Sequence, residues 1–398
     1  MKKDTLVVHT GRIPGANSGC VNTPVYRTST ILFPTMDDYY AAEKGKAFYE
    51  TSKNIRVPDL CYATTGTPTS YVLQRSIAEL EGAEHAVISP SGLSAITLTF
   101  MAFLKQGDHI LVTDSAYGPS RRFCNKVLKQ YGIETTYYDP TIGEGIKDLI
   151  QSNTKLIHTE SPGSLTFEIQ DIPAISKVAH NHGIVVTTDN SWATPLYCNP
   201  IELGADVSIQ AATKYIGGHS DILLGTVAAN QEHYDKIAKA HHHFGAATSP
   251  DDCYLALRGL RTMATRLERH EKHALSVAQW INERPEVDVV FHPGLESHPG
   301  HDLFKRDFKG STGLFSFVLN EKYSYQDMCR MIDHFEIFGI GASWGGFESL
   351  VLHFSPSTIR TAKKWNYSGQ AVRLYIGLED LDDILYDLEK GFERLNNT

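Results

Sequence analysis

A chain of 398 residues with 37 Lys and Arg against 46 Asp and Glu carries a formal charge of −9, which argues against nucleic acid or an anionic membrane as its main partner. No apolar run approaches the ~20 residues of a membrane span. After Met1-Lys2-Lys3-Asp4 only Leu6-Val7-Val8 precede His9, too short for a secretory signal, so a cytoplasmic location is expected.

Residues 1–60 are turn-rich and broken by Pro14, Pro24, Pro34 and Pro58, and read as an N-terminal arm laid on something else. Residues 61–255 alternate strand and helix signals. The spacing of Val72, Leu73, Ser76, Ile77 and Leu80 predicts a helix from Thr69 to the Gly82 stop. Strand-like runs follow at 86–89, 109–113, 133–138, 155–159, 184–188, 206–210 and 223–228. Helices fit between them from Pro119 to Tyr131 and from Pro173 to His182, the latter with Asp171 as a plausible cap. That alternation predicts an α/β fold with a mostly parallel sheet covered on both faces. Residues 256–398 change rhythm: a long helix from Arg261 to Ile281, strands at 288–291, 313–319 and 350–354, and a last helix from Leu381 to Leu395 read as a smaller α+β domain.

Cys20, Cys61, Cys124, Cys198, Cys253 and Cys329 show no CxxC spacing and read as reduced thiols. His241-His242-His243 is the obvious histidine cluster, but adjacent helical residues diverge and no HExxH occurs, so no metal site is expected.

Four features stand at the ends of successive strands. Ser89-Pro90-Ser91-Gly92-Leu93-Ser94 offers small residues at a helix start, whose free N–H groups suit a phosphate; alone this is a weak signal. Tyr117 follows Ile110-Leu111-Val112-Thr113 and could stack on a flat ring, although a core tyrosine is the commoner reading of one residue. Asp189 closes Ile184-Val185-Val186-Thr187-Thr188, where ligand sites of open α/β sheets lie; taken alone it is a cap or turn residue. Lys214 ends the run Val207-Ser208-Ile209-Gln210-Ala211-Ala212-Thr213 just before Gly217-Gly218. It is either an amine that snorkels to solvent or one placed to form an imine. Together the four are harder to dismiss.

At these residues the chain resembles the Cys/Met-metabolism enzymes that depend on pyridoxal phosphate (PLP): cystathionine β- and γ-lyases, cystathionine γ-synthase and methionine γ-lyase. The matching stretches include Thr67-Pro68-Thr69, Leu80-Glu81-Gly82, Ser91-Gly92, Ala116-Tyr117, Glu160-Ser161-Pro162, Asp189-Asn190, Thr213-Lys214-Tyr215 and Arg258-Gly259-Leu260-Arg261-Thr262. Ser208 to Lys214, Ser343-Trp344-Gly345-Gly346 and Arg373-Leu374 are similar to bacterial cystathionine β-lyases in particular. The resemblance implies a fold-type I architecture with a seven-stranded sheet. It implies PLP carried on Lys214, with Asp189 on the ring nitrogen and Tyr117 stacked on the ring. Ser91, Gly92, Leu93 and Thr213 would bind the phosphate. Arg373, assisted by Ser343 and beside Trp344, would clamp the α-carboxylate of an amino-acid substrate. The implied reaction is β-elimination of L-cystathionine, in the route to methionine. Cleavage at Cγ, desulfhydration of cysteine and racemisation stay open.

The resemblance also implies a homo-oligomer, a dimer of dimers, in which Tyr62 reaches a neighbouring subunit's phosphate. Here the chain departs from the family's Tyr-x-Arg loop, since Thr64 stands at the arginine position; Arg121 and Arg122 are candidates for the missing charge. One motif points elsewhere. Gly341-Ala342-Ser343-Trp344-Gly345 fits the G-x-S-x-G pattern of serine hydrolases, which requires a strand, the serine and then a helix. The sequel, Ser349 to Phe354, is β-like, which disfavours that reading.

Overall fold

The computed structural model describes residues 1–43, 49–50, 56–57, 61–358 and 360–397. Seven strands form the larger sheet: β1 (His85–Ser89), β2 (His109–Thr113), β3 (Glu134–Tyr138), β4 (Thr154–Glu160), β5 (Val185–Asp189), β6 (Val207–Ala211) and β7 (Gly225–Ala229). Their order is β1-β7-β6-β5-β4-β2-β3. Only β7 runs against its neighbours; the remaining pairs are parallel. The apolar runs are nearly continuous because both faces are covered, as a buried parallel sheet requires. The carboxyl ends of β4, β5 and β6 therefore open on one edge, where Glu160, Asp189 and Ala211 lie.

The helix punctuation follows local chemistry. In α1 (Pro68–Glu81), Thr67 and Ser70 form a capping box, Pro68 opens the first turn and Gly82 closes the helix at φ +69°. Ser91 caps α2 (Gly92–Phe103), its hydroxyl accepting from the Ser94 N–H. Next, α3 (Gly118–Phe123) continues through a π turn at Cys124–Leu128. Asp171 caps α4 (Ile172–Asn181) through the Ala174 N–H. Three further helices, α5 (Gln231–His243), α6 (Pro250–Leu260) and α7 (Met263–Asn282), lead to the second sheet.

That sheet contains β8 (Val287–Phe291), β9 (Leu314–Leu319), β10 (Gly339–Ile340), β11 (Leu350–Phe354) and β12 (Ala371–Tyr375), in the order β8-β9-β12-β11-β10. Its cover includes α7 and the last helix, α8 (Leu381–Asn396), through Ile281, Ile384, Leu388 and Phe392. The two sheets are joined by a continuous apolar cluster that includes Leu73, Trp192, Tyr215, Leu314 and Tyr375. The indole N–H of Trp192 donates to the Leu314 carbonyl at 2.9 Å, so the joint is hydrogen-bonded as well as packed.

The N-terminal 43 residues are more built-in than their prolines suggest. They contain helices at Lys3–His9 and Met36–Glu43. Val7 is fully buried in the main core, and Arg261 donates to its carbonyl at 2.7 Å. Tyr49–Glu50 pairs with Arg56–Val57; the rest of 44–60, Pro58 included, lies outside the described residues. Among the described residues no helix is long and apolar enough to cross a membrane, and no His, Cys, Asp and Glu side chains group as metal ligands. Of the three adjacent histidines, His241 is buried on the Ile88 carbonyl at 2.8 Å while His242 and His243 are exposed.

Candidate active site

Lys214 sits in the bend after β6, where its N–H donates to the Ala211 carbonyl and its carbonyl accepts from Gly218. The bend is held rigidly from behind. Arg266 donates to the carbonyls of Tyr215 (2.7 Å) and Gly259 (2.8 Å), and its guanidinium occupies the space that a Cβ on Gly218 would need, 2.2 Å away. On the other side, Gly345 at φ +92° lies so close that a Cβ there would meet the Lys214 backbone at 2.7–2.8 Å. The segment from β10 to β11 is thereby pressed on Lys214, and the side-chain amine donates to Ser343 Oγ at 2.6 Å. The Trp344 ring centroid is 5.1 Å from the same amine. Burial pushes the amine down to about 8; the Arg373 charge adds to this and Asp189 opposes it.

Asp189 faces this amine from the end of β5. Its carboxylate accepts from the Ser191 N–H at 2.9 Å, and burial holds it above the usual carboxylate range. Next to it, Glu160 closes β4 in direct register. Tyr117 lies immediately before α3. Its N–H donates to Glu160 Oε2 at 2.6 Å. Tyr117 is 44 % exposed. The phenol is raised by burial and by Asp189, against which Arg122 and Arg373 act, so all these groups share one electrostatic neighbourhood.

The start of α2 reaches the same edge because its first residue lacks a side chain. A Cβ on Gly92 would stand 2.6 Å from Ala211 Cβ, and one on Gly225 would meet the Ser91 carbonyl at 2.2 Å. Ser91, Gly92 and Leu93 are partly exposed there, beside the end of β6. Thr213 is next to them, but its hydroxyl is already engaged with the Leu224 carbonyl (3.2 Å) and N–H (3.1 Å). Arg373 lies in mid-β12, 8 % exposed, with Nη2 on the Ser343 (3.1 Å) and Gly341 (3.4 Å) carbonyls. Burial lowers it to about 10, still a cation at neutral pH.

The structure thus brings Ser91, Gly92, Leu93, Tyr117, Asp189, Thr213, Lys214, Ser343, Trp344 and Arg373 to one end of the larger sheet and the adjoining bend. Tyr62 is half exposed, its backbone bridged to Thr30. Nor are the two candidate arginines equivalent. Arg121 is 6 % exposed, bonded to Asp114 at 2.8 Å and Thr361 at 2.6 Å, and stacked on Tyr137. It is committed to the fold and cannot be the relocated charge. Arg122 is exposed and lies close enough to Tyr117 to lower its phenol. Ser343 leads through a bend into β11 and not into a helix, and it accepts from a lysine, so the elbow of a serine hydrolase is absent.

Sequence reasoning assigned no role to Glu160 or Asp114. Glu160 was visible as the acid that closes an apolar run and as part of the matching stretch Glu160-Ser161-Pro162, but with no task; Asp114, directly after the apolar strand 109–113, gave no sign of the distant loop it binds.

The family model described as Cys/Met metabolism PLP-dependent enzyme matches residues 4–393. An L-alanine/L-glutamate racemase of Wolbachia pipientis wMel is 44 % identical, over 99 % of this chain and 98 % of the relative. Cystathionine beta-lyase MetC of Escherichia coli K12 is 40 % identical, over 99 % of each chain. The crystal structure of metB from Corynebacterium glutamicum superposes with a TM-score of 0.87 at 32 % identity, covering 100 % of this chain and 99 % of that one.

Proposed function

Since the chain belongs to the Cys/Met metabolism PLP-dependent enzymes, we propose that it is a carbon–sulfur lyase acting as a cystathionine β-lyase. The residues present suit that cofactor. A helix start stripped of its first Cβ suits the phosphate, the Asp189 carboxylate suits a protonated ring nitrogen, and a buried amine of lowered basicity suits an aldehyde. When bound, pyridoxal phosphate supplies an electron sink conjugated to the substrate Cα. The net reaction is cystathionine plus water to homocysteine, pyruvate and ammonia.

Each residue has a task in that reaction. Lys214 would hold the cofactor at rest and, with its amine free, would take the Cα proton of the substrate. Ser343, 2.6 Å from the Lys214 amine, aims it. Asp189 keeps a proton on the ring nitrogen. Tyr117 would stack on the cofactor ring, and it or Lys214 would supply a proton to the departing sulfur. Ser91, Gly92, Leu93 and Thr213 bind the phosphate, Thr213 mainly by bracing the bend at Leu224. Arg373 binds the α-carboxylate, and the Trp344 indole walls the side-chain path. Tyr62 completes the site of a neighbouring subunit in a homo-oligomer. Residues 1–60, 61–255 and 256–398 serve as arm, cofactor domain and C-terminal domain.

The observation that carries the β-lyase reading is the Lys214–Ser343–Trp344–Arg373 cluster, in which an amine, a guanidinium and an indole from three segments meet around Ser343. The test is kcat/KM across L-cystathionine, L-cysteine, L-methionine and L-alanine, with cystathionine expected to lead by at least tenfold. A second reading is favoured by the 44 % identity to the racemase: the same Cα proton transfer, followed by return of the proton to either face. Conversion of L-alanine to its enantiomer faster than any elimination would select it.

A further inference from the structure

Beside Asp189 lies a second carboxylate that the proposed chemistry does not use. Glu160 is the direct Cα partner of Asp189 on the neighbouring parallel strand, and it is 7 % exposed. Adjacent strands lie ~4.8 Å apart, so two acids are crowded at one sheet edge. A buried acid at such a place is costly unless something holds it. Glu160 Oε2 accepts the Tyr117 N–H at 2.6 Å, and Oε1 is bonded to the Ser164 hydroxyl. Its own backbone is fixed too, Gln170 donating to its carbonyl at 2.7 Å. The loop after β4 is zipped to the Tyr117 bend, Ser164 N–H donating to the Ser115 carbonyl at 2.8 Å. A Cβ on Gly163 would strike the Ser115 side chain at 2.3–2.4 Å, so the close approach of the two segments requires glycine there. Burial and the Asp189 charge push Glu160 up to about 8, which leaves it mostly a neutral acid at pH 7.

We propose that Glu160 is a positioning residue that sets the Tyr117 ring against the cofactor by gripping the Tyr117 main chain from the neighbouring strand end. The inference rests on reading Tyr117 as the ring contact. It assigns Glu160 no proton transfer: its work is to fix the backbone from which the ring projects. A neutral isostere should therefore replace it, while a truncation should act only through Tyr117.

The test is a double-mutant cycle read by PLP affinity of the apoprotein, titrated by absorbance, with no substrate involved. Glu160→Ala should weaken PLP binding by about tenfold, the loss expected for one strong buried hydrogen bond. Glu160→Gln should stay within about threefold of wild type, as expected for an isostere that still accepts the Tyr117 N–H. Glu160→Ala combined with Tyr117→Ala should bind no more weakly than Tyr117→Ala alone. If Glu160→Ala does not fold, Glu160→Asp, one methylene short of the N–H, takes its place with the same expectation. Multiplicative losses in the double variant, or a Gln variant as weak as the Ala variant, would overturn the inference while leaving Tyr117 as a ring contact. Wild-type affinity in Tyr117→Ala alone would instead remove the reading on which it stands, and Glu160 with it.

Discussion

Lys214 combines two properties that seldom coincide in lysine: a tightly packed, hydrogen-bonded bend and an amine pushed down to about 8 by burial. Lys214→Ala should abolish turnover, and borohydride reduction of the loaded wild type should label the peptide that contains Lys214 and no other. The same shift has a consequence for the apoprotein. Because the folded state holds the amine below its ordinary 10.5, the unfolded chain binds the extra proton between the two values. Stability must therefore rise with pH from about 8 towards 10, by about 2–3 kcal/mol, and urea unfolding of Lys214→Met should lack that rise. Asp189→Asn keeps the size but cannot hold a full charge at the ring nitrogen; kcat should fall by about 10²–10⁴ with a smaller loss of PLP affinity. Lys214 and Asp189 were legible in the sequence because each ends an apolar run beside a turn. Glu160 ends such a run as well, but its partner is the main chain of Tyr117, 43 residues away, and no side-chain pattern records a backbone hydrogen bond.

At the scale of elements, the loop between β11 and β12 hangs on one buried carboxylate. Asp114, 1 % exposed, accepts the N–H groups of Thr361, Ala362 and Lys363, each at 3.0 Å, and pairs with Arg121 at 2.8 Å. Asp114→Ala leaves a buried guanidinium without its counter-ion and several N–H groups without an acceptor. It should cost about 3–5 kcal/mol, seen as a lower urea midpoint. Since the loop leads into the strand that carries Arg373, KM should rise more than kcat falls. The larger sheet was legible strand by strand because both of its faces are apolar. By contrast, β12 escaped: Arg373 interrupts Ala371-Val372-Leu374-Tyr375, and a charge in a short run reads as a surface segment although this strand is fully buried. The cation is tolerated there because the carbonyls of Ser343 and Gly341 receive it. Helices α5 and α6 were missed too, since their polar faces and the histidine cluster hid the apolar stripe that holds Ile237, Cys253, Ala256 and Leu257 in the core.

For the whole molecule, the proposal joins two sheets into one site and then extends the site to a second chain. The first step is visible in the Trp192–Leu314 hydrogen bond and in the pressing of Gly345 on Lys214. The second rests on Tyr62, half exposed on the arm side of the chain. If Tyr62 serves a neighbour, mixing inactive Tyr62→Ala with inactive Lys214→Ala should regenerate activity, because a mixed pair contains one site with both residues intact. Absence of any regained activity after subunit exchange, shown by sedimentation, would confine each site to one chain. The central claim concerns the bond that breaks, and its most direct measurement is identification of the products from L-cystathionine. The account predicts pyruvate, homocysteine and ammonia in equal amounts; 2-oxobutyrate with cysteine, or an inverted amino acid without pyruvate, would contradict it.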